Sequence, residues 1–571
     1  MFERGGLVGL AIAVLYVWLA PTHVVDGDNA EFCTLGTMGG AAHPSGYPLY
    51  VLYLRTTSWL PGASPAHTAA IATALLAAVA FVALHAACRA WGAKPLAATL
   101  SVAVLAGAPV VLAMDCEAEV FALNGLVVAC VLWLAARSGP LVGIRRGLAL
   151  GLVAGLGLSN NLTCALVAPI GILGVVRAVR EGGARAAVAA AIGLVAGLTP
   201  YLYLLVAPEH QGSWGHITSL SDVVGVILRR EYGGPGAFAG TGPAVPVGDS
   251  LLALLSTVGR TWLWLPAIAG LVALGDRIAR ASESGETRVA WGLLLACIVL
   301  AGPVLVTRFD VAPEGVGRYV VARFHILPAL LLAPAVADAL DRAGGWLGRT
   351  LPALARSGWL GQVLGVVAFA AVAGAALPHI LRVHAPAVEY QTSNTLHSLP
   401  ERAVVFGVDD DVGAVMNYVQ VVLGERRDVT YVHVPLLGLP WYRDRIAALG
   451  IADSAHMIED VVASGRPVFV QPYLKQPQTV LPHYPYGVLV RILPADVAPP
   501  TLDEVVKLNT EVYAKFELDY PRPGPDDEWP TLIHTRYAKT WLRLAKLLGE
   551  AGRAEEAQAA VDYARAIGPQ P

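Results

Sequence analysis

Long apolar segments alternate with short polar loops over the first two thirds of the chain. A segment of about 18–20 apolar residues is long enough to cross the hydrocarbon core of a bilayer. Because no small-residue cleavage site follows the first segment, we expect an uncleaved helix there rather than a signal peptide. The pattern predicts about eleven membrane-spanning helices, near residues 5–22, 68–88, 95–113, 120–136, 147–158, 161–177, 186–206, 250–275, 288–306, 322–341 and 360–381.

From about residue 385 the pattern changes to short apolar runs separated by charged stretches. "RAVVFGV" (402–408), "DVTYVHV" (428–434) and "RPVFVQP" (466–472) are typical of buried strands. The tail at 537–569 predicts two amphipathic helices around a glycine turn, either a tetratricopeptide-like hairpin or a helical cap on the strands. We therefore expect a transmembrane domain at 1–384, an extramembrane α/β domain at 385–500 and a helical tail at 501–571.

Composition and charge support a polytopic α-helical membrane protein. The 571 residues are 55% hydrophobic and only 15% charged, whereas soluble domains have about 25% charged residues. The net charge is −3 and no basic stripe stands apart from the membrane-flanking arginines, so nucleic acid is excluded as a partner. Lysine and arginine concentrate in alternate loops, from Arg89 and Lys94 onward. This bias predicts a bacterial inner-membrane protein with a cytoplasmic N-terminus and a periplasmic C-terminal domain.

The loop after the first span concentrates carboxylates. Asp26, Asp28 and Glu31 fall within "VVDGDNAEFCTLGTMGGAAHPSGYPLY" (24–50), whose prolines and glycines restrict the backbone. Three carboxylates this close disfavour one another's ionised form unless cations or hydrogen bonds compensate. One interpretation is a shaped loop that holds a general base. The alternative is a set of hydrated loop residues.

Arginines on the same predicted side form a second constellation: Arg229, Arg230, Arg318 and Arg323. An arginine at the membrane interface either extends its guanidinium to water or binds an anion. A guanidinium can hold two phosphate oxygens at once. The spans contain few ionisable residues at mid-depth, which argues against a proton-driven transporter. Together these features favour an enzyme that uses a phosphate-bearing lipid.

Two further groups of residues carry expectations. Cys33 and Cys116 fall on predicted outer loops, and we expect them to form a disulfide. The run from Asp409 to Asp411 follows a predicted strand, where carboxylates either bind a divalent cation or remain solvated. A solvated loop is the favoured interpretation.

The segment "GDNAEF…AHPSGYPLY" resembles the GD-x-x-E-F … HPPGYPLY signature of the protein O-mannosyltransferase-like membrane glycosyltransferases of GT-C type. The similarity continues in the same order along nearly the whole chain. It includes "EAEVFALNGL" (117–126), "GLGLSNNLT" (155–163), "GSWGHITSLSDVVGVILRREYG" (212–233) and "DDDVGAVMNYVQ…RRDVTYVHVPLLGLPWY" (409–442).

The resemblance implies a GT-C fold that transfers a sugar from a polyprenyl-phosphate donor to a hydroxyl, with inversion and without a cofactor or divalent cation. It implies that Asp28 is the base and that Glu31 positions the acceptor or Asp28. Arg318, Arg230, Arg229 and Arg323 are the candidates for binding the donor phosphate. The residues implied to line the substrate pocket are His43, Tyr47, Tyr50, Glu119, Asn124, Asn161, Trp214 and Tyr319.

Departures from the signature leave the sugar and the acceptor open. Ser45 stands where the pattern has proline, and His216 stands where it has aspartate. We expect mannose transfer to serine or threonine of an exported protein. The alternatives are transfer to a lipid or cell-wall glycan, or a non-catalytic membrane scaffold with an extracytoplasmic binding domain.

Overall fold

The chain forms two compact units in a computed structural model that describes residues 6–234, 245–350, 358–451, 455–472, 474 and 480–570. The first unit comprises Met1–Thr22, Ala41–Ala207 and Ile217–Leu381. The second comprises His23–Gly40, Pro208–His216 and Arg382–Pro571. The second unit therefore includes two short segments from the N-terminal part of the chain. It also contains both 385–500 and 501–571, which the sequence predicted as separate domains.

Most of the regular structure is α-helical. The α-helices are α1 (Gly6–Leu19), α2 (Gly27–Met38), α3 (Pro48–Thr57), α4 (Pro65–Ala90), α5 (Pro95–Gly107), α6 (Pro109–Asp115), α7 (Phe121–Ala135), α8 (Gly143–Asn160), α9 (Ala168–Gly182), α10 (Ala184–Gly197), α11 (Leu220–Ile227), α12 (Val247–Thr261), α13 (Leu265–Ala279), α14 (Gly285–Val299), α15 (Val316–Thr350), α16 (Gly358–Val383), α17 (Ala387–Ser398), α18 (Asp410–Asn417), α19 (Pro440–Ile446), α20 (Met457–Ala463), α21 (Leu502–Tyr513), α22 (Glu528–Glu550) and α23 (Ala554–Ile567).

Shorter helical segments extend or connect these helices. The 3₁₀-helices are Leu162–Val167, Thr199–Leu205, Arg230–Tyr232, Val434–Gly438 and Ala447–Leu449. Two π-helical segments, Leu300–Val304 and Tyr418–Val422, directly follow α14 and α18. Because a π-segment widens the helix locally, each marks a departure from regular packing at the end of its helix.

Helices long and apolar enough to cross a membrane confirm a multi-pass membrane protein. Within the described residues there are six, or up to eight if each of two bent pairs is one span. Every predicted span overlaps a helix, but α1 and α7 are shorter apolar helices, and the figure of about eleven stays a prediction. The six are Pro65–Ala90, Leu162–Gly182, Ala184–Leu205, Gly285–Val304, Val316–Gly344 and Trp359–Ser398.

Two predicted spans are bent. Helices α5 and α6 meet at 72°, where the ring of Pro109 cannot continue the preceding helix. Helices α12 and α13 meet at 103°. Leu263 and Trp264 have φ of 54° and 62° at this break, a conformation rare for residues with a side chain. Hydropathy predicts the apolar length of such segments and not the break within them.

The second unit contains a five-stranded mixed sheet. Its strands are β1 (Val404–Gly407), β2 (Thr430–His433), β3 (Val468–Val470), β4 (His483–Tyr486) and β5 (Leu489–Ile492). The order is β2-β1-β3-β5-β4, with β1 parallel to both β2 and β3, and β5 antiparallel to β3 and β4. The three predicted strands are confirmed, and the hairpin β4–β5 was missed.

The sheet divides the apolar side chains of the second unit between its two faces. Val404 and Phe406 are fully buried on one face, in a core that includes Tyr442 of α19 and Met457 of α20. Val405 points to the other face, because successive side chains alternate along a strand. That face lies against α17, α18 and α22.

Helix α22 packs against the sheet. The Thr540 hydroxyl donates to the Gly487 carbonyl in the β4–β5 turn at 2.7 Å, and the Tyr513 hydroxyl donates to the Tyr537 carbonyl at 3.0 Å. Helices α22 and α23 form the predicted hairpin, with Gly552 at φ 76° in its turn. These contacts fit the interpretation as a helical cap, and the tetratricopeptide likeness stays a prediction.

Glycines allow the backbones of α8 and α10 to come into direct contact in the first unit. A Cβ atom added at Gly151 would lie 1.9 Å from the Ala190 carbonyl oxygen, and one at Gly193 would lie 2.3 Å from that of Leu148. Gly147, Gly155 and Gly197 repeat this spacing every fourth residue. Small residues at this interval allow close approach of helices in a membrane, where burial from water does not drive association.

Replacement of Gly151 by leucine should therefore separate α8 from α10 and destabilise the first unit. Overpacking of this kind costs about 1–3 kcal/mol, and more when backbone must move. The matched control is Gly275→Leu on α13, because an added Cβ there meets no atom within 4 Å. Thermal unfolding of the purified protein in detergent should show a lower midpoint for Gly151→Leu only. Equal midpoints for the two variants would contradict the packing account.

Candidate functional site

Asp26 begins the carboxylate-bearing helix α2. Its Oδ1 accepts a hydrogen bond from the Asn29 amide at 2.7 Å, and Asn29 Oδ1 accepts from the Val25 amide at 3.1 Å. Aspartate in this N-cap position satisfies one of the amides that a helix leaves unbonded at its start. Asp26 is only 1% exposed. The sequence left Asp26 without a role, and the structure gives it a capping role.

Asp28 and Glu31 lie one turn apart on α2. Both are partly exposed, whereas Phe32, Cys33 and Leu35 on the same helix are buried. Side chains three residues apart are neighbours on a helix surface. A carboxylate oxygen of Asp28 lies within 4.8 Å of one of Glu31. The helix therefore presents two adjacent carboxylates.

Helix α2 is fixed against α18 at its first residue. A Cβ added at Gly27 would lie 2.9 Å from Asp411 Cα, so the two backbones are in direct contact. Asp411 is itself held by Arg536 of α22, with 2.9 Å between Nη1 and Oδ2. Residues from opposite ends of the sequence thus fix the position of α2 within the second unit.

The run from Asp409 to Asp411 is not the solvated loop that the sequence favoured. Asp409 Oδ2 lies 2.8 Å from Arg536 Nη2, and Asp411 is buried in its pair with the same guanidinium. Asp410 alone is solvated, with a side chain 94% exposed and an oxygen 3.1 Å from His433 Nε2. Asp409 and Asp411 therefore each form an ion pair with Arg536, and these pairs stabilise the fold.

The segment 208–216 lies in the second unit beside α2. His210 Nε2 is 2.9 Å from the Gly39 carbonyl oxygen at the end of α2. Burial lowers the pKa of His210, so the ring is neutral at pH 7 and donates this hydrogen bond. Sequence reasoning missed His210, because its partner is a backbone carbonyl.

Trp214 also lies in this segment, where its ring centroid is 5.5 Å from that of Trp441 at the start of α19. The Arg445 guanidinium donates to the Gln211 carbonyl at 3.0 Å and lies over the Trp441 ring. Two pieces of the motif series, "GSWG" and "LPWY", therefore meet in the second unit.

A buried cluster of carboxylates and their partners follows α6 in the first unit. Glu117 accepts a hydrogen bond from the Tyr319 hydroxyl at 2.6 Å. Glu119 pairs with Arg323 at 3.3 Å, with side chains 1% and 14% exposed. The structure thus brings Glu119, Tyr319 and Arg323 together, and it adds Glu117. The charge of Arg323 is matched by Glu119, which makes it a poor choice for binding phosphate.

Asn124 and Asn161 form a polar network between helices. Asn161 Oδ1 accepts from the Thr163 amide and hydroxyl at 3.0 and 2.8 Å, and so caps Leu162–Val167. Asn124 donates to the Thr163 hydroxyl at 3.2 Å and accepts from Cys164. These hydrogen bonds hold α7 against the segment after α8.

The segment "HPSGYPLY" contains an aromatic contact between His43 and Tyr47 and a buried tyrosine, Tyr50. The His43 and Tyr47 ring centroids are 5.0 Å apart, and Tyr47 has φ 43° just before Pro48 begins α3. Tyr50 is fully buried, and its hydroxyl shares a hydrogen bond with Thr73 at 2.6 Å. Tyr50 therefore joins α3 to α4.

The remaining arginines differ in exposure. Arg229 is half-buried, with its guanidinium 5.2 Å from the Tyr232 ring, whereas Arg230 and Arg318 are exposed. Arg230 forms no ion pair with a described residue. Exposed guanidiniums remain accessible to an anionic ligand.

The predicted disulfide between Cys33 and Cys116 is wrong. All six cysteines carry thiols, and no disulfide joins described residues. Cys33 is buried on α2 and Cys116 is buried at the end of α6. The prediction failed because it placed both residues on accessible loops, whereas both lie in packed interiors.

Comparison with known proteins gives similarity to a protein family, to a relative of known name and to a solved structure. Residues 28–181 match the family described as the N-terminal domain of protein O-mannosyl-transferase TMEM260. The chain is 27% identical over 242 residues to protein O-mannosyl-transferase TMEM260 of Mus musculus, which covers 40% of this chain and 34% of the mouse protein. The chain thus matches about a third of that relative's length.

Among solved structures, the chain resembles ArnT from Cupriavidus metallidurans bound to undecaprenyl phosphate. The TM-score is 0.48 at 15% identity, over 86% of this chain and 99% of ArnT.

The family match begins at Asp28 and includes Glu31, His43, Tyr47, Glu119, Asn124 and Asn161. Over residues 28–181 these findings confirm the resemblance of the chain to the protein O-mannosyltransferase-like membrane glycosyltransferases.

Proposed function

We propose that the chain is a membrane glycosyltransferase that moves mannose from a polyprenyl-phosphate donor to a serine or threonine hydroxyl of an exported protein. The observation that carries this proposal is the pair Asp28 and Glu31, partly exposed on one turn of α2 inside the family match. The name of the mouse relative, a protein O-mannosyl-transferase, supports the reaction type and the acceptor class. Transfer takes place on the periplasmic face of a bacterial inner membrane.

The reaction is a single displacement. The acceptor hydroxyl gives its proton to the Asp28 carboxylate, and its oxygen forms a bond to the anomeric carbon. The bond from that carbon to the phosphate oxygen breaks on the opposite side, and its electron pair leaves with the polyprenyl phosphate. Glu31, one turn away, positions the acceptor or Asp28. A positioned base of this kind contributes about 10²–10⁴-fold to the rate.

The leaving phosphate needs cations that it can reach. Arg318 and Arg230 are exposed, and Arg229 lies beside Arg230. Arg323 is paired with buried Glu119. We therefore assign the donor phosphate to Arg318 and Arg230, with Arg229 as neighbour, and assign Arg323 to the stability of the first unit. Guanidinium groups aimed at developing charge lower the barrier to departure.

The Asp28→Asn variant should lose about 10²–10⁴-fold in transfer rate, because an amide does not accept the hydroxyl proton. Asp26→Asn is the matched control, since asparagine caps a helix as well as aspartate does. The measurement is sugar transfer by the purified full chain from a polyprenyl-phosphate sugar to an acceptor peptide. Equal activity of wild type and Asp28→Asn would remove Asp28 from the mechanism. Loss of activity in both variants would show that α2 tolerates no change of charge.

Arg318→Gln should weaken donor binding, whereas Arg323→Gln should lower the stability of the fold. Loss of a charge-assisted hydrogen bond costs about 1.5–3 kcal/mol, so Arg318→Gln should raise the donor KM by roughly tenfold to a hundredfold. Arg323→Gln leaves Glu119 buried without its cation, which costs up to about 3–5 kcal/mol of folding free energy.

Steady-state kinetics and thermal unfolding of both variants separate these effects. A normal donor KM in Arg318→Gln would show that Arg318 lies at the membrane interface without binding the donor phosphate. Unchanged thermal stability in Arg323→Gln would contradict the structural role of its pair with Glu119.

Transfer should not require a divalent cation. The resemblance to the protein O-mannosyltransferase-like family implies a reaction without a divalent cation, in which Asp28 accepts a proton rather than binding a metal. We expect the initial rate to be unchanged after dialysis against EDTA. An activity that disappears with EDTA and returns with Mg²⁺ or Mn²⁺ would place a cation at the carboxylate pair instead.

A further inference from the structure

A cavity of about 150 Å³ lies within the second unit, between the sheet and helices α17, α18 and α22. Val405 and Leu489 of the sheet form an apolar side of it, and Thr392 and Gln471 contribute polar groups. One water needs only about 10–15 Å³ of such space. The cavity is therefore large enough for a small ligand.

The cavity lies where the strand order of the sheet reverses. The chain passes from β1 to β2 on one side, and β3 then pairs with β1 on the other side. Val412 follows the carboxyl end of β1, and Gln471 and Pro472 follow that of β3, and all three line the cavity. In open α/β sheets, ligands bind in the crevice outside the carboxyl ends of the strands at this point.

Positive side chains of α22 line the cavity at successive turns. Arg536 is neutralised by Asp409 and Asp411. Lys539 and Arg543, one and two turns further along the helix, also line the cavity. Neither forms an ion pair with a residue that the structure describes. Against the two carboxylates of Asp409 and Asp411, the three cations Arg536, Lys539 and Arg543 leave an excess of one positive charge here.

Arg543 in particular lacks a strong partner. Its Nη2 is 3.5 Å from the Pro472 carbonyl oxygen, which is longer than the usual 2.7–3.2 Å of a hydrogen bond. Half-burial lowers the pKa of Arg543, because water is removed from the guanidinium without a counter-charge to replace it. A partly buried guanidinium without a nearby counter-charge is expected to bind an anion.

A further arginine lies on the same face of the sheet. Arg491 is two residues beyond Leu489 on β5, and its Nη1 is buried without a hydrogen-bond partner among the described residues. Burial lowers the pKa of Arg491 too. This face of the sheet therefore contains a cavity and two arginines, Arg543 and Arg491, that have few hydrogen-bond acceptors.

We propose that this cavity binds a small phosphate-bearing ligand, held by Lys539 and Arg543, with the Thr392 hydroxyl available as a further donor. A guanidinium binds two phosphate oxygens in one plane, and an ammonium supplies a point charge. The ligand is inorganic phosphate or the phosphate ester of a small molecule. The site is separate from the carboxylates of α2, and its occupation does not depend on the transfer reaction.

Equilibrium dialysis of the purified full chain tests the proposal with two probes, radiolabelled inorganic phosphate and glucose 1-phosphate. We expect saturable binding at millimolar ligand or below. Arg543→Gln and Lys539→Gln should each weaken it roughly tenfold or more, because each removes a charge-assisted hydrogen bond. Lys546→Gln is the matched control on the same helix, since Lys546 is exposed, pairs with Glu550 and does not line the cavity.

Two further variants separate binding at the cavity from other effects. Arg543→Lys keeps the charge and should retain part of the affinity that Arg543→Gln loses. Asp28→Asn should bind phosphate as the wild type does, even though it fails in sugar transfer. Thermal unfolding without ligand shows whether the Arg543 and Lys539 variants remain folded.

Tighter binding of glucose 1-phosphate than of phosphate would identify a phosphate ester as the ligand, and equal affinities would identify the free anion. No saturable binding of either probe would overturn the proposal. An isotherm unchanged by both Arg543→Gln and Lys539→Gln would also overturn it, because phosphate would then bind elsewhere, as at the proposed donor site.

Discussion

The contact between Gly27 and the backbone of Asp411 is the constraint on which the position of the proposed base depends. Helix α2 approaches α18 so closely that a methyl group at residue 27 would lie 2.9 Å from Asp411 Cα. Asp411 is fixed by Arg536 from α22, near the end of the chain. The Asp26 cap then sets where α2 begins, and His210 binds the carbonyl of Gly39 at its end. Asp28 and Glu31 therefore lie on a helix that is held at both ends.

Some charged residues of this protein are buried in ion pairs, and others are accessible to solvent. Glu119 with Arg323, and Asp411 with Arg536, are buried pairs, and the removal of one partner would leave an uncompensated charge. Asp28, Glu31, Arg230 and Arg318 are partly or fully exposed. Groups of the second kind can exchange partners during a reaction, which is why the mechanism is assigned to them.

Much of the fold was predictable, because apolar length and strand composition are local properties of the sequence. Each predicted span overlaps a helix, and three of the five strands fall where short apolar runs predict them. Hydropathy did not predict the breaks at Ala108 and at Leu263, because the first is caused by Pro109 and the second by the backbone angles of Leu263 and Trp264. The β4–β5 hairpin was missed because "HYPYGVLVRI" contains proline and charge within short strands.

The sequence predicted which residues form the candidate site, but not how the fold positions them. The motif order indicated Asp28 and Glu31 by resemblance, and both lie on α2. Membership of α2 in the second unit could not be predicted, because it rests on Gly27 meeting Asp411. The roles of Asp409 and Asp411 depend in the same way on Arg536, which is far away in sequence. Tyr50 and Asn161 match the motif series, but Tyr50 joins α3 to α4 and Asn161 caps Leu162–Val167.

The central claim is that Asp28 activates the acceptor for one direct displacement at the anomeric carbon. The most direct measurement is the anomeric configuration of the transferred sugar, determined by NMR spectroscopy and compared with that of the donor. Direct displacement predicts that the configuration is inverted in the product. Retention of configuration would contradict the account, because it requires a covalent glycosyl-enzyme intermediate or another second displacement.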